Sequence, residues 1–127
     1  MTDAPIPALL AAATRQQGTQ LPVWFMRQAG RSLPEYRELR VGTRMLDACA
    51  DPGMIHEITM QPVRRHKVDA AIFFSDIVLP LKAIGVDLDI VAGTGPVIAH
   101  PVRTRADLDQ LVPLEPGHVG FVTQAIR

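Results

Sequence analysis

Two short apolar runs stand out along the chain, and each is closed by a charged side chain. Val23-Trp24-Phe25-Met26 stops at Arg27, and Asp69-Ala70-Ala71-Ile72-Phe73-Phe74-Ser75 leads to Asp76. Runs this short and this apolar predict strands buried on both faces, as in a parallel sheet. Between and around them the pattern turns helical. A short Ala/Leu helix is expected over Ala8 to Arg15, followed by a polar turn at Gln17 to Gln20. Gly30 allows a sharp exit from the first strand. Ser32-Leu33-Pro34-Glu35 predicts a helix start, with Ser32 as the cap, Glu35 completing a capping box and proline in the first turn. Asp51-Pro52 opens another helix, with Met54, Ile55, Ile58 and Val63 near one face. Pro62 is expected to kink that helix or mark its boundary.

Downstream, a helix over Leu79 to Ile84 is closed by Gly85, and Val86 to Val91 alternates as a half-exposed strand does. Gly93-Thr94-Gly95-Pro96 reads as a turn, and residues 104 to 112 and 115 to 127 as helices, the second running to the end of the chain. Helix, buried strand, helices, buried strand, helix is an α/β order. In parallel α/β folds the sites gather at the C-terminal ends of strands, where Arg27 and Asp76 stand. Two buried strands neither close a barrel nor complete a sheet, so residues 1–127 read as the start of a larger domain.

Composition narrows the function classes. Thirteen basic and thirteen acidic residues cancel, which weighs against a nucleic-acid partner. The lone Cys49 excludes an intrachain disulfide and fits a reducing compartment. No apolar run approaches the roughly 18 residues of a membrane span. Asp3 and Pro5 stand where a secretory signal carries basic residues, so the expected location is cytoplasmic.

Three charged residues are the candidate chemistry. Arg27 directly follows an apolar run and Arg31 comes four residues later. They are either surface arginines, with Arg31 pairing to Glu35, or two planar forks for gripping carboxylates. Asp76 is either a cap for the helix after it or a half-buried acceptor for several N–H donors, and the two roles are compatible. Arg64-Arg65-His66-Lys67 reads as a solvated helix end matched to the dipole. His56, His66, His100, His118 and Cys49 show no metal-ligand spacing. Gly93-x-Gly95 lacks the rest of any phosphate-loop or dinucleotide fingerprint.

The stretch Pro22 to Arg37, with Trp24, Met26-Arg27-Gln28-Ala29-Gly30-Arg31 and Leu33-Pro34-Glu35, closely resembles the signature of the uroporphyrinogen decarboxylase family. The resemblance continues through Glu57 to Arg65, Val68 to Ile77, Pro80 to Gly85 and Gly93 to Ile98, covering about residues 5 to 127. Ser32 replaces the tyrosine usual in the signature, which bears on packing beside the arginine loop. The resemblance implies a (β/α)8 barrel of about 250 residues or more, of which this chain is the N-terminal portion. It also implies conversion of the four acetate arms of uroporphyrinogen to methyl groups, without a cofactor or metal, in haem biosynthesis. Arg27 and Arg31 match the family's substrate-contacting arginines, and Asp76 its aspartate facing the pyrrole N–H groups. A homodimer is expected of the full-length enzyme. Corrinoid-dependent methyltransferases share the barrel but use zinc, and lack the arginine signature. A third reading takes the 127-residue chain as a non-catalytic piece with open strand edges, catalytically silent and poorly soluble.

Overall fold

The computed structural model describes residues 6–18, 20–25 and 28–127, so Met26 and Arg27 lie outside the described residues. The longest element is the helix Pro52–His66, α4, and the rest packs around it. It starts where capping chemistry places it: the Asp51 carboxylate accepts the Met54 amide at 2.8 Å, with Pro52 at the first helical position. Ile55, Ile58, Thr59 and Pro62 form one buried stripe at helical spacing, Ile55 and Ile58 being wholly inaccessible to solvent. Pro62 does not end the helix as expected. Its missing N–H costs a single rung, and its fully buried ring adds to the apolar stripe that holds the helix in place.

Upstream lie α1 (Ala8–Ala13), α2 (Pro34–Leu39) and a one-turn α3 (Met45–Ala48) too short for periodicity to reveal. Ser32 does not cap α2. Pro34 occupies the first turn and sets Leu33, buried and without a capping hydrogen bond, as the preceding residue. Glu35 reaches across to α4 instead, where its two oxygens take Arg65 Nε at 2.7 Å and Nη2 at 2.8 Å. That corrects both the capping box and the Arg31–Glu35 pair. Arg64 grips both oxygens of Glu57, and Lys67 closes α4 at φ 54°, so the basic run is a helix end as expected.

Downstream lie α5 (Leu79–Ala83), a hairpin of β1 (Leu88–Val91) and β2 (Gly95–Ile98), α6 (Arg105–Leu108), a 3₁₀ turn at Pro116–Val119 and α7 (Gly120–Ile126). The hairpin is antiparallel, pairing Leu88 with Ile98 and Val91 with Gly95. Its turn is Ala92 to Thr94, with Gly93 at φ +80°, so Gly95 and Pro96 belong to β2 rather than to the turn. The expected helix over residues 104 to 112 is one turn, capped reciprocally by Thr104 and Asp107. After it the Val112 amide turns to the Ile84 carbonyl at 3.0 Å, ahead of Pro113. α4 packs against α2 and α7, and a second core joins Leu46, Cys49, Leu79 and Leu88 with Phe74 and Phe121 beside it.

The two expected buried strands are the largest correction. Among the described residues the sole sheet is the hairpin, and neither Val23–Phe25 nor residues 70–76 enter a ladder. The two segments do lie side by side: the Asp69 amide donates to the Val23 carbonyl at 2.8 Å, and the Val23 amide to the Asp69 carboxylate at 2.8 Å. Burial on both faces fails, because Trp24 and Phe25 are about half exposed, at 51% and 56%. A parallel strand needs neighbours on both edges and cover on both faces. The described elements supply only part of each.

Two outcomes follow. Ile58→Ala, which empties a site enclosed on all sides, should cost about 2–5 kcal/mol in urea unfolding. The hydrogen bonds from Arg65, and next a backbone hydrogen bond, hold Glu35 down from 4.5 to about 2. A carboxyl lowered on folding adds stability above its unfolded value and loses it as pH falls through the folded one. The α2–α4 contact should therefore be intact above about pH 4.5 and loosen towards pH 2. NMR shifts of α2 amides should record that step, and Glu35→Gln should abolish it.

Candidate functional site

The arginine loop and the Asp76 segment meet at one cleft of about 1030 Å³. Arg31, Arg37, Arg40 and Arg44 line it from the loop, α2 and the turn after α2. Asp76 lines it too, and Asp89 with Ile90–Gly93 of the hairpin makes a further wall. Four arginines against two aspartates make a basic hollow in a chain with no net charge. That is a field suited to a small polyanion.

The loop is shaped before it reaches the cleft. Gly30 sits at φ +154°, which L side chains rarely adopt, and its carbonyl accepts the Leu33 amide at 3.0 Å. Arg37 Nη1 donates to the Arg31 carbonyl at 2.6 Å and so fastens the loop to α2. Arg31 itself is exposed. Among the described residues, Arg31, Arg37 and Arg40 have no carboxylate within ion-pairing distance, whereas Arg44 is spent on Asp47 and Asp89. Arg40 lies over the Tyr36 ring at 5.7 Å and donates to Tyr36 Oη, Met45 Sδ and the Thr43 carbonyl. Its buried Nε has no acceptor among the described residues.

Asp76 holds both roles open in its sequence. Its Oδ1 accepts the Val78 amide at 3.0 Å, the bond of a residue that turns the chain into α5, though Val78 occupies the capping position. Its second oxygen has no hydrogen-bond partner among the described residues. Phe74, two residues earlier, meets Tyr36 edge to face at 6.1 Å, so an aromatic pair ties the aspartate's segment to the arginine helix. Arg31 and Asp76 are thus brought to one hollow, while Arg27 lies outside the described residues. Tyr36, Arg37, Arg40 and Arg44 escaped the sequence reading. The recurrence of arginine at 37, 40 and 44, every three or four residues, was the available signal.

Among the described residues no three His, Cys, Asp or Glu side chains gather as metal ligands would. No described helix is long and apolar enough to cross a membrane.

The family model described as uroporphyrinogen decarboxylase matches residues 4–127. A uroporphyrinogen decarboxylase of Rhodococcus erythropolis is 64% identical over 127 residues, which is 100% of this chain and 35% of the relative. The corresponding protein of Rhodococcus opacus is 65% identical over the same span, and that of Thermobifida fusca 66% identical over 120 residues, 94% of this chain and 33% of the relative. The chain spans about a third of the length of the curated relatives it matches.

Cys49 tests how well the wall behind the cleft is sealed. Burial, and then the charge of Asp76, push its thiol up to about 11, against an opposing pull from Arg40. The folded chain should therefore resist iodoacetamide at mildly alkaline pH and react once unfolded, as mass spectrometry would read.

Proposed function

Because the chain belongs to the uroporphyrinogen decarboxylase family, we propose that it carries the arginine and aspartate side of the cleft in which uroporphyrinogen loses its acetate carboxylates. The observation that carries this reading is that Arg31 and Asp76, far apart in sequence, line one hollow with three more arginines. The substrate is a macrocycle with eight carboxylates outside and four pyrrole N–H groups inside. Arginines at the rim and one carboxylate facing them match that distribution of charge. Arg27 and Arg31 hold substrate carboxylates, and Arg37 and Arg40 extend the same row. Asp76 accepts the pyrrole N–H donors with the oxygen left free by Val78.

Decarboxylation breaks the bond between the methylene carbon and the carboxylate, and the electron pair moves into the ring as CO2 leaves. A protonated pyrrole receives that pair, so the substrate serves as its own sink where other enzymes use a cofactor. A proton added to the methylene carbon then completes the methyl group, and loss of the proton first placed on the ring restores the neutral pyrrole. Asp76 lowers the barrier by facing the cationic ring with a fixed negative charge. In this reading residues 1–127 form the N-terminal part of a (β/α)8 barrel in a cytoplasmic, cofactor-independent homodimer. The exposed Trp24 and Phe25 support the barrel, as side chains that further strands and helices would cover.

The same exposure favours a second reading for residues 1–127 taken alone: they are catalytically silent and self-associate. A monomeric gel-filtration peak that forms coproporphyrinogen would overturn it. In a full-length enzyme carrying this segment, Asp76→Ala should lower kcat by about 100-fold or more. Lys82→Ala, whose amine donates to the Leu88 carbonyl at 3.3 Å, should stay near the parent value. Equal kcat values in a coproporphyrinogen assay would remove Asp76 from the chemistry.

A further inference from the structure

We infer that Gln28 is a positioning residue whose buried amide locks the arginine loop to the Asp76 segment and thereby sets where Arg31 stands. This rests on the function proposed above and adds a residue to it. Gln28 is 6% exposed, in a loop whose Arg31 is open to solvent. Its Oε1 accepts the Phe25 amide at 2.9 Å and its Nε2 donates to the Ala70 carbonyl at 3.0 Å. One side chain thus satisfies a backbone donor on the segment before the loop and a backbone acceptor on the segment leading to Asp76. Both ends of the amide are engaged in holding backbone.

The geometry makes this brace specific. Neither segment is held in a sheet ladder, so side chains must take its place. Thr59 Oγ1 does so from α4, accepting the Phe74 amide at 2.9 Å, but it touches the Asp76 segment alone. Asp69 joins the two segments at Val23, on the far side of Phe25 from the loop. Gln28 does so inside the loop, three residues before Arg31 and next to Arg27 in sequence. Glutamate there keeps an acceptor for Phe25 but sets a carboxylate against the Ala70 carbonyl. Methionine keeps the length and loses both bonds.

The test is a double-mutant cycle in a full-length enzyme carrying this segment, with uroporphyrinogen as substrate. Gln28→Glu and Gln28→Met should each raise KM by about tenfold, the scale of one lost carboxylate contact. Each should add nothing further in an Arg31→Ala background, because the displaced guanidinium is already gone. Lys82→Ala combined with either should be additive. A Gln28 effect that adds in full to that of Arg31→Ala overturns the positioning role alone. Failure of both Gln28 variants to fold, judged by circular dichroism, overturns it too, since Gln28 would then be a general core residue. If Arg31→Ala leaves KM unchanged, the proposed substrate contact fails, and this inference with it.

Discussion

The constraint on which the site depends is backbone satisfaction without a sheet. Val23–Phe25 and residues 69–76 carry the polar groups of would-be strands, yet among the described residues one backbone bond joins them, Asp69 to Val23. Buried amides and carbonyls are costly when unpaired. Gln28, Thr59 and the Asp69 carboxylate make the pairs instead. Gln28 and Thr59 are two of the three buried polar residues among the described residues, and both bond to these segments. Most of the polar interior of the described residues therefore holds the backbone of the segments that lead to the cleft.

Charge is distributed with the same economy. The chain is neutral as a whole, and several exposed arginines are neutralised locally, Arg64 by Glu57, Arg65 by Glu35 and Arg105 by Asp109. Such solvated pairs contribute little to stability. Half of the described arginines without a carboxylate partner, Arg31, Arg37 and Arg40, line one cleft, whereas Arg15, Arg103 and Arg127 stand away from it. Arg44 is the exception: by pairing with Asp47 and Asp89 it ties α3 to the hairpin and acts on the shape of the hollow more than on its charge.

Family membership and the fold of the described residues meet at an exposed surface. Trp24 and Phe25 belong to the stretch that most resembles the family, and they are about half open to solvent. Large apolar side chains in such a position mark a face meant for cover. The relatives are about three times as long as this chain.

Elements with strong local signals were legible in the sequence. Asp51-Pro52 started α4 where a cap and a first-turn proline require, the Ile55–Ile58 stripe faced the core, and Leu79–Ala83 stopped before Gly85. Arg31 and Asp76 were legible as candidates because each breaks an apolar pattern with a charge. What the sequence left open was decided by contacts between distant residues. Glu35 chose Arg65 over Arg31, Pro62 stayed inside its helix, and the apolar runs at 23–25 and 70–76 remained out of any ladder. Local pattern records what a residue prefers in its own turn or strand. Whether a strand pairs, a carboxylate finds its arginine or a glutamine becomes a brace depends on which neighbour the fold brings within hydrogen-bond reach, and that is set only when the chain has closed on itself.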